Sequence, residues 1–197
     1  MASKKLQKKV IGLTGPKGSG KGTVARYFAQ HYGASTISGS DLLNEMLAVV
    51  GIERTRVNQI NLVQALRKTF GSDVLGRAAQ AALRRLPPNK QRLVVIDNIR
   101  PREDWDPWRS KTNTVLIAIT AKPKIRFERL RKRGKTKEEK TLTYARFLNE
   151  EALPTETKTI QKTSRLANFT IDANGSRKNV YQQIDRIAAK LKLKRTQ

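Results

Sequence analysis

The sequence predicts an α/β fold in three layers: a parallel sheet of about five strands with helices on both faces. Three observations carry the prediction. The runs Leu93–Ile96 (LVVI) and Val115–Ile119 (VLIAI) are apolar at every position, which suits strands buried on both sides, as in a parallel sheet. Short apolar runs alternate with longer helix-period segments along the chain, the signature of right-handed βα units. A glycine-rich stretch, Gly15 to Lys21, lies between the first apolar run and the first amphipathic one. A chain of 197 residues suits one domain, residues 1–197.

The elements follow in order. Lys4–Lys9 reads as a basic tail and Val10–Thr14 as a strand ending at Gly15. Gly20–His31 is a helix and Ala34–Ile37 a short strand. Ser40–Val50 carries Leu42, Leu43, Met46, Leu47 and Val50 at helical spacing and stops at Gly51. Arg56–Phe70 and Val74–Leu86 are helices split by Gly71-Ser72-Asp73, the second broken by Pro87-Pro88. The strand at Leu93–Ile96 ends in Asp97. After the strand Val115–Ile119 come helices at Pro123–Arg133, Tyr144–Leu153 and Glu156–Leu166. Phe169–Ile171 is a last strand and Ser176–Leu193 a last amphipathic helix, with Lys190–Arg195 a frayed basic end.

Composition removes several chemistries. There is no cysteine and one histidine, His31, so structural zinc, disulfides, thiol nucleophiles and histidine triads are excluded. The N-terminus lacks the apolar core of a secretory signal, and no stretch approaches the roughly 18 apolar residues of a membrane span; the expectation is a cytoplasmic monomer. The net charge of +25 attracts polyanions and allows non-specific nucleic-acid binding. Trp105 and Trp108 flank Asp106-Pro107 and read as packing residues, with contact to a base the other use.

Gly15-Pro16-Lys17-Gly18-Ser19-Gly20-Lys21 has the spacing of a phosphate loop, with a strand before it and a helix after it. Its glycines let successive N–H groups turn inward on a phosphate, and the following helix adds the positive end of its dipole. Lys21 would reach the β- and γ-oxygens of a nucleotide. Asp97, at the carboxyl end of a central strand, lies where α/β sheets place ligands and suits Mg²⁺ held partly through water. Arg100 presents a guanidinium fork suited to a phosphate.

These residues make the chain resemble P-loop kinases and imply the three-layer P-loop NTPase fold. Gly20-Lys21-Gly22-Thr23, in place of a lysine followed directly by Ser or Thr, resembles adenylate kinase and related nucleoside monophosphate kinases. Ile11–Gly15 with Gly18–Ala25 also resembles dephospho-CoA kinases and dephospho-CoA-kinase-like proteins. The resemblance covers most of the chain. Ser40-Asp41-Leu42-Leu43 is similar to the opening of the acceptor helix, and Gly51–Arg56 with Leu66-Arg67 and Phe70-Gly71 to the acceptor segment. Asp97-Asn98-Ile99-Arg100 is similar to Asp-Gly-x-Arg, with Asn98 in the glycine's place. Ile125–Arg133 resembles the arginine-rich helix leading into a lid, and Ala167–Gly175 the last strand and the loop beside adenine.

The resemblance implies ATP with Mg²⁺ and a nucleotide-like acceptor. The residues from Gly15 through Thr23, with Asn174, would bind ATP; Thr23 and Asp97 would serve the metal. Asp41, Arg56, Arg67 and Arg100 would meet the acceptor; Lys21, Asp41, Arg100, Arg129 and Arg133 would act in transfer. The acceptor-binding insertion would span about 39–87 and the lid about 134–155. Residues 121–140 hold ten Lys/Arg against three Glu, cations that a closing lid would bring to the phosphates. Arg126 shares their helical face, and Arg146 would serve from the second lid helix.

Two departures leave the acceptor open. Asn44 stands where adenylate kinases carry an arginine that grips the monophosphate, and the histidine–proline segment of dephospho-CoA kinases is missing. A nucleoside monophosphate leads as acceptor, with the 3′-hydroxyl of dephospho-CoA beside it and a nucleic-acid- or ribosome-associated ATPase as a third reading. Asp41 correspondingly has two readings: a carboxylate that takes a hydroxyl proton, or the cap of its helix.

Overall fold

The computed structural model describes residues 8–111, 113–134, 137–152 and 154–196. Residues 4–7 of the expected tail, and 135–136 and 153 of the expected lid, lie outside them. Five parallel strands, β1 (Lys9–Thr14), β2 (Ser35–Ser38), β3 (Leu93–Ile99), β4 (Thr114–Thr120) and β5 (Phe169–Asp172), form one sheet in the order β2-β3-β1-β4-β5. The chain supplies α1 (Lys21–Tyr32), α2 (Gly39–Val49), α3 (Arg56–Phe70), α4 (Val74–Arg85), α5 (Asp106–Arg109), α6 (Pro123–Arg133), α7 (Lys137–Lys140), α8 (Tyr144–Ala152), α9 (Pro154–Ser164) and α10 (Arg177–Lys190). No helix among the described residues is long and apolar enough to cross a membrane.

The side-chain alternation of the strands divides the core in two. Ile11, Leu13, Leu93, Val95, Ile117 and Ile119 point to one face, under Val24 and Phe28 of α1 and Val180 and Ile184 of α10. Val10, Val94, Ile96 and Leu116 point to the other, against Ala79 of α4 and the two tryptophans. Burial of both faces is why these strands read as unbroken apolar runs.

Trp105 and Trp108, 3% and 1% exposed, are core residues. Gly12 makes room for one of them. A Cβ there would lie 2.6 Å from the Ile99 methyl and 2.6 Å from the Trp105 ring, so only glycine lets the indole lie on β1.

Two expectations are corrected. β3 runs through Asp97 to Ile99 rather than stopping at Ile96; Ser38 pairs opposite Asp97, and the ladder with β1 shifts register between Gly12 and Thr14. The C-terminal end is docked, not frayed. Arg195 donates to Asp185 (2.8 Å) and to Tyr27 (3.0 Å), and the Thr196 N–H donates to the His31 carbonyl (2.9 Å). Burial alone would raise the Asp185 carboxyl, but hydrogen bonds from Tyr32, Arg195 and Tyr27 hold it below the ordinary range. A cation that completes this cluster gives the tail a reason to fold back.

Candidate active site

β1 delivers the chain into the loop at the centre of the sheet. Gly15, Gly18 and Gly20 have φ of 145°, 79° and 109°, which L side chains rarely adopt. A Cβ at Gly15 would meet the Ile119 carbonyl oxygen at 2.3 Å, and one at Gly18 the Arg126 carbonyl at 2.8 Å. The loop is therefore pressed against β4 and α6 from behind. Helix α1 begins after Gly20, an N-cap with no side chain to occupy the first-turn N–H groups, so the helix N-terminus remains a place for an anion. Lys21 donates to the carbonyls of Gly15 (2.7 Å) and Pro16 (3.1 Å), which keeps its ammonium within the loop. Thr23 is half-buried in the first turn and Gly22 is exposed beside it.

The hydroxyls of Thr14 and Ser19 are buried with no hydrogen-bond partner, and so is Oδ1 of Asp97. Burial pushes the Asp97 carboxyl above its ordinary range; Lys21 partly offsets this, the Asn98 backbone N–H lowers it further, and Asp41 raises it. Lys21, Asp97 and Asp41 thus share one electrostatic site. Orphaned acceptors and hydroxyls around a glycine cradle suit a nucleotide's phosphates and a hard cation. Thr14 went unnoticed in the sequence, where it reads as the last residue of a strand.

Asn98 has a φ of 71°, the left-handed region that asparagine tolerates better than most residues. This accounts for asparagine where the resemblance leads one to expect glycine. The turn aims Arg100 back, with its Nε donating to Asn98 Oδ1 at 3.4 Å, while the Arg100 carbonyl accepts from Thr163 (2.7 Å).

Asp41 does not cap α2. Ser38 is the N-cap, its hydroxyl accepting from the Asp41 N–H (3.4 Å), and the Asp41 carboxylate lies exposed in the first turn. Asn44 accepts from Gln59 (2.6 Å) and joins α2 to α3. Arg67 points to Asp104 (2.8 Å), a residue 7% exposed, so this expected acceptor contact holds an internal carboxylate. Burial raises the Asp104 carboxyl to about 6, although Arg67 pulls the other way. Nothing in the charged Arg102-Glu103-Asp104 run marks Asp104 as buried. Arg56 opens α3 on the surface.

The arginine helix differs from the lid that its composition suggests. Arg126 is 5% exposed, pairs with Glu151 of α8 (2.6 Å) and donates to the Lys17 carbonyl (3.3 Å). Arg129 donates to the carbonyls of Ser19 (3.3 Å) and Ala173 (2.6 Å). Arg133 pairs with Glu139 of α7 (Nε to Oε2 3.1 Å), and Arg146 with Glu150 (3.2 Å). Close packing of α6 on the loop turns Arg126 and Arg129 inward to satisfy buried carbonyls, so they brace the loop. Asn174 accepts from the Lys122 N–H (2.7 Å) and donates to Asp172 (2.6 Å), tying the loop after β5 to the start of α6.

A family model described as an AAA domain matches residues 11–154. A UPF0200 protein of Thermococcus onnurineus is 31% identical over 129 residues, 64% of this chain and 69% of the relative. One from Pyrococcus horikoshii is 31% identical over 135 residues, 67% of this chain and 72% of the relative. Among solved structures, TT1252 from Thermus thermophilus aligns with a TM-score of 0.59 at 18% identity, over 94% of this chain and 98% of that one. Shikimate kinase from Bacteroides thetaiotaomicron aligns with a TM-score of 0.55 at 16% identity, over 95% and 100%. At those identities the structural likeness shows the fold, which is the P-loop fold of such kinases. The chain belongs to the AAA domain family and, through its closely covered relatives, to the UPF0200 proteins.

Proposed function

We propose that this protein is an ATP-dependent kinase that transfers the γ-phosphoryl group to a hydroxyl of a nucleotide-like acceptor, with dephospho-CoA as the model acceptor. The observation that carries the reading is the meeting of Lys21, the orphaned oxygen of Asp97 and the uncommitted Asp41 beside a glycine cradle. The acceptor side favours a hydroxyl over a monophosphate: Arg67 is spent on Asp104, and Asn44, bonded to Gln59, brings no charge.

In this reading the backbone from Gly15 to Gly20 and the Lys21 ammonium hold the phosphates. When bound, Mg²⁺ neutralises charge on them, and Asp97 and Thr23 would hold it, partly through water. The acceptor oxygen forms a bond to the γ-phosphorus as the bond to the bridging oxygen breaks, and ADP leaves with that electron pair. Asp41 takes the hydroxyl proton, and Arg100 steadies the acceptor's negative charge. Arg129 positions the loop by holding Ser19. Arg133 would reach the phosphates on releasing Glu139.

The test is ADP formation by purified protein with AMP, CMP, GMP, UMP or dephospho-CoA. Dephospho-CoA should stimulate most, and Asp41→Asn should lower kcat by about 10²–10⁴ with ATP binding retained. Stimulation by a monophosphate, unchanged in Asp41→Asn, would move the assignment to a nucleoside monophosphate kinase. ATP hydrolysis stimulated only by RNA would move it to a nucleic-acid-associated ATPase. That reading rests on the +25 charge, since both tryptophans are buried.

A further inference from the structure

Beside the first turn of α2, between the end of β3 and α4, lies a cavity of about 30 Å³, lined among others by Gly39, Leu75, Ala79, Ile96, Asp97 and Asp104. The residue 104 carboxylate is more than nine-tenths buried; its Oδ2 accepts from Arg67 at 2.8 Å, and its Oδ1 is buried with no partner. Oδ1 of Asp97 is in the same condition. Two residues that each carry an unsatisfied carboxylate oxygen thus line one small space whose other walls include Leu75, Ala79 and Ile96. A buried acceptor without a donor costs its full desolvation, so such a site calls for a donor from outside the chain.

We infer that this cavity is an acceptor subsite that takes the second hydroxyl of a vicinal diol on Asp104, while the first hydroxyl reacts beside Asp97. The inference rests on the hydroxyl-acceptor reading above. Size sets the group: the space is about that of one water molecule, enough for a hydroxyl and too small for a ring. Charge sets its kind. Arg67 already supplies a cation to Asp104, so a neutral donor fits. Position sets the spacing. Asp97 borders both the cavity and the transfer site, so the two hydroxyls must be neighbours on one molecule, as on a ribose ring.

The test pairs dephospho-CoA with its 2′-deoxy analogue, and AMP with 2′-deoxy-AMP, by calorimetry in the presence of the non-hydrolysable ATP analogue AMP-PNP. Wild-type protein should bind at least one ribo probe roughly tenfold or more tightly than its deoxy partner, the loss expected for a hydrogen bond to a charged group. Asp104→Asn, whose amide oxygen would stay on Arg67 and leave its NH₂ in place of the free acceptor, should erase that preference with AMP-PNP affinity unchanged. Gly39→Leu gives a second route that spares the Arg67 pair. A Cβ at Gly39 meets open space, so the side chain should narrow the cavity mouth and weaken ribo probes without unfolding the chain. Equal binding of ribo and deoxy probes to wild type, or a preference that survives Asp104→Asn, overturns the subsite. So does binding of AMP-PNP with none of the probes. If AMP-PNP fails to bind while an Asp104-dependent ribo preference persists, the kinase reading falls and the subsite stands; if neither binds, both fall.

Discussion

Helix α1, which follows the phosphate loop, buries five of its 12 residues, while α3, 15 residues long and part of the expected acceptor segment, buries none. The contrast extends to their surroundings. The loop is braced by Arg126 and Arg129, whose guanidinium groups satisfy its carbonyls, and by the close approach of β4 and α6. Around α3, Val49, Val57 and Phe70 are 86%, 65% and 60% exposed. The phosphate loop is over-determined by packing, whereas α3 itself is tied to its neighbours by polar contacts such as Asn44 to Gln59 and Arg67 to Asp104. A phosphate has one shape in every nucleotide, so its cradle gains from rigidity. Acceptor recognition gains from helices able to close on a ligand, and weakly packed elements supply that motion.

Four measurements test the contrast between the braced loop and the exposed α3. The largest effect falls on the donor side: Lys21→Ala should lower kcat on the order of 10³-fold while the melting temperature stays near wild type. Retained turnover would remove the loop from the chemistry. Next, Gly15→Ala should destabilise the fold by about 3 kcal/mol in urea unfolding, because the new methyl meets the Ile119 carbonyl in a strained backbone region. A near-neutral result would show that the cradle is looser than its contacts imply.

The third concerns pH. Burial raises the Asp104 carboxyl from 3.8 to about 6, so the folded protein holds this proton more tightly than the unfolded chain does. The associated stabilisation is complete below about pH 4 and is lost as pH rises through about 6. Wild type minus Asp104→Asn unfolding free energy should therefore fall between those limits and level off by about pH 7; a flat difference would mean that the carboxyl is not desolvated. The smallest effect is expected on α3. Val57→Ser should change stability by less than about 0.5 kcal/mol, since the side chain is exposed. A clear loss would show that α3 is packed in solution.

Much of this was legible in the sequence. Helices α3 and α6 match their expected limits, because a loop glycine closes the first and a proline opens the second. The glycine cradle was legible for a related reason: glycine spacing acts on the backbone it belongs to. The surroundings of the expected acceptor residues were less so. Asp104 looks like a surface acid beside Arg102 and Glu103, and only the docking of Trp105 and Trp108 on the second face of the sheet carries it inward. Helix α5 was missed because four residues around a proline leave no period to read. The direction of the arginines was equally hidden, since composition counts cations but does not say which meet carboxylates.

Local periodicity was enough for the alternation of the strands with the longer helices and for the burial of both sheet faces, and the glycine spacing was enough for the phosphate cradle, because glycine alone adopts its backbone angles readily. Tertiary structure decided the use of the charges. Arg67 meets Asp104 and Arg129 meets Ala173 across separations of 37 and 44 residues. Whether a cation faces a ligand or a buried oxygen depends on which groups folding brings within reach and strips of water.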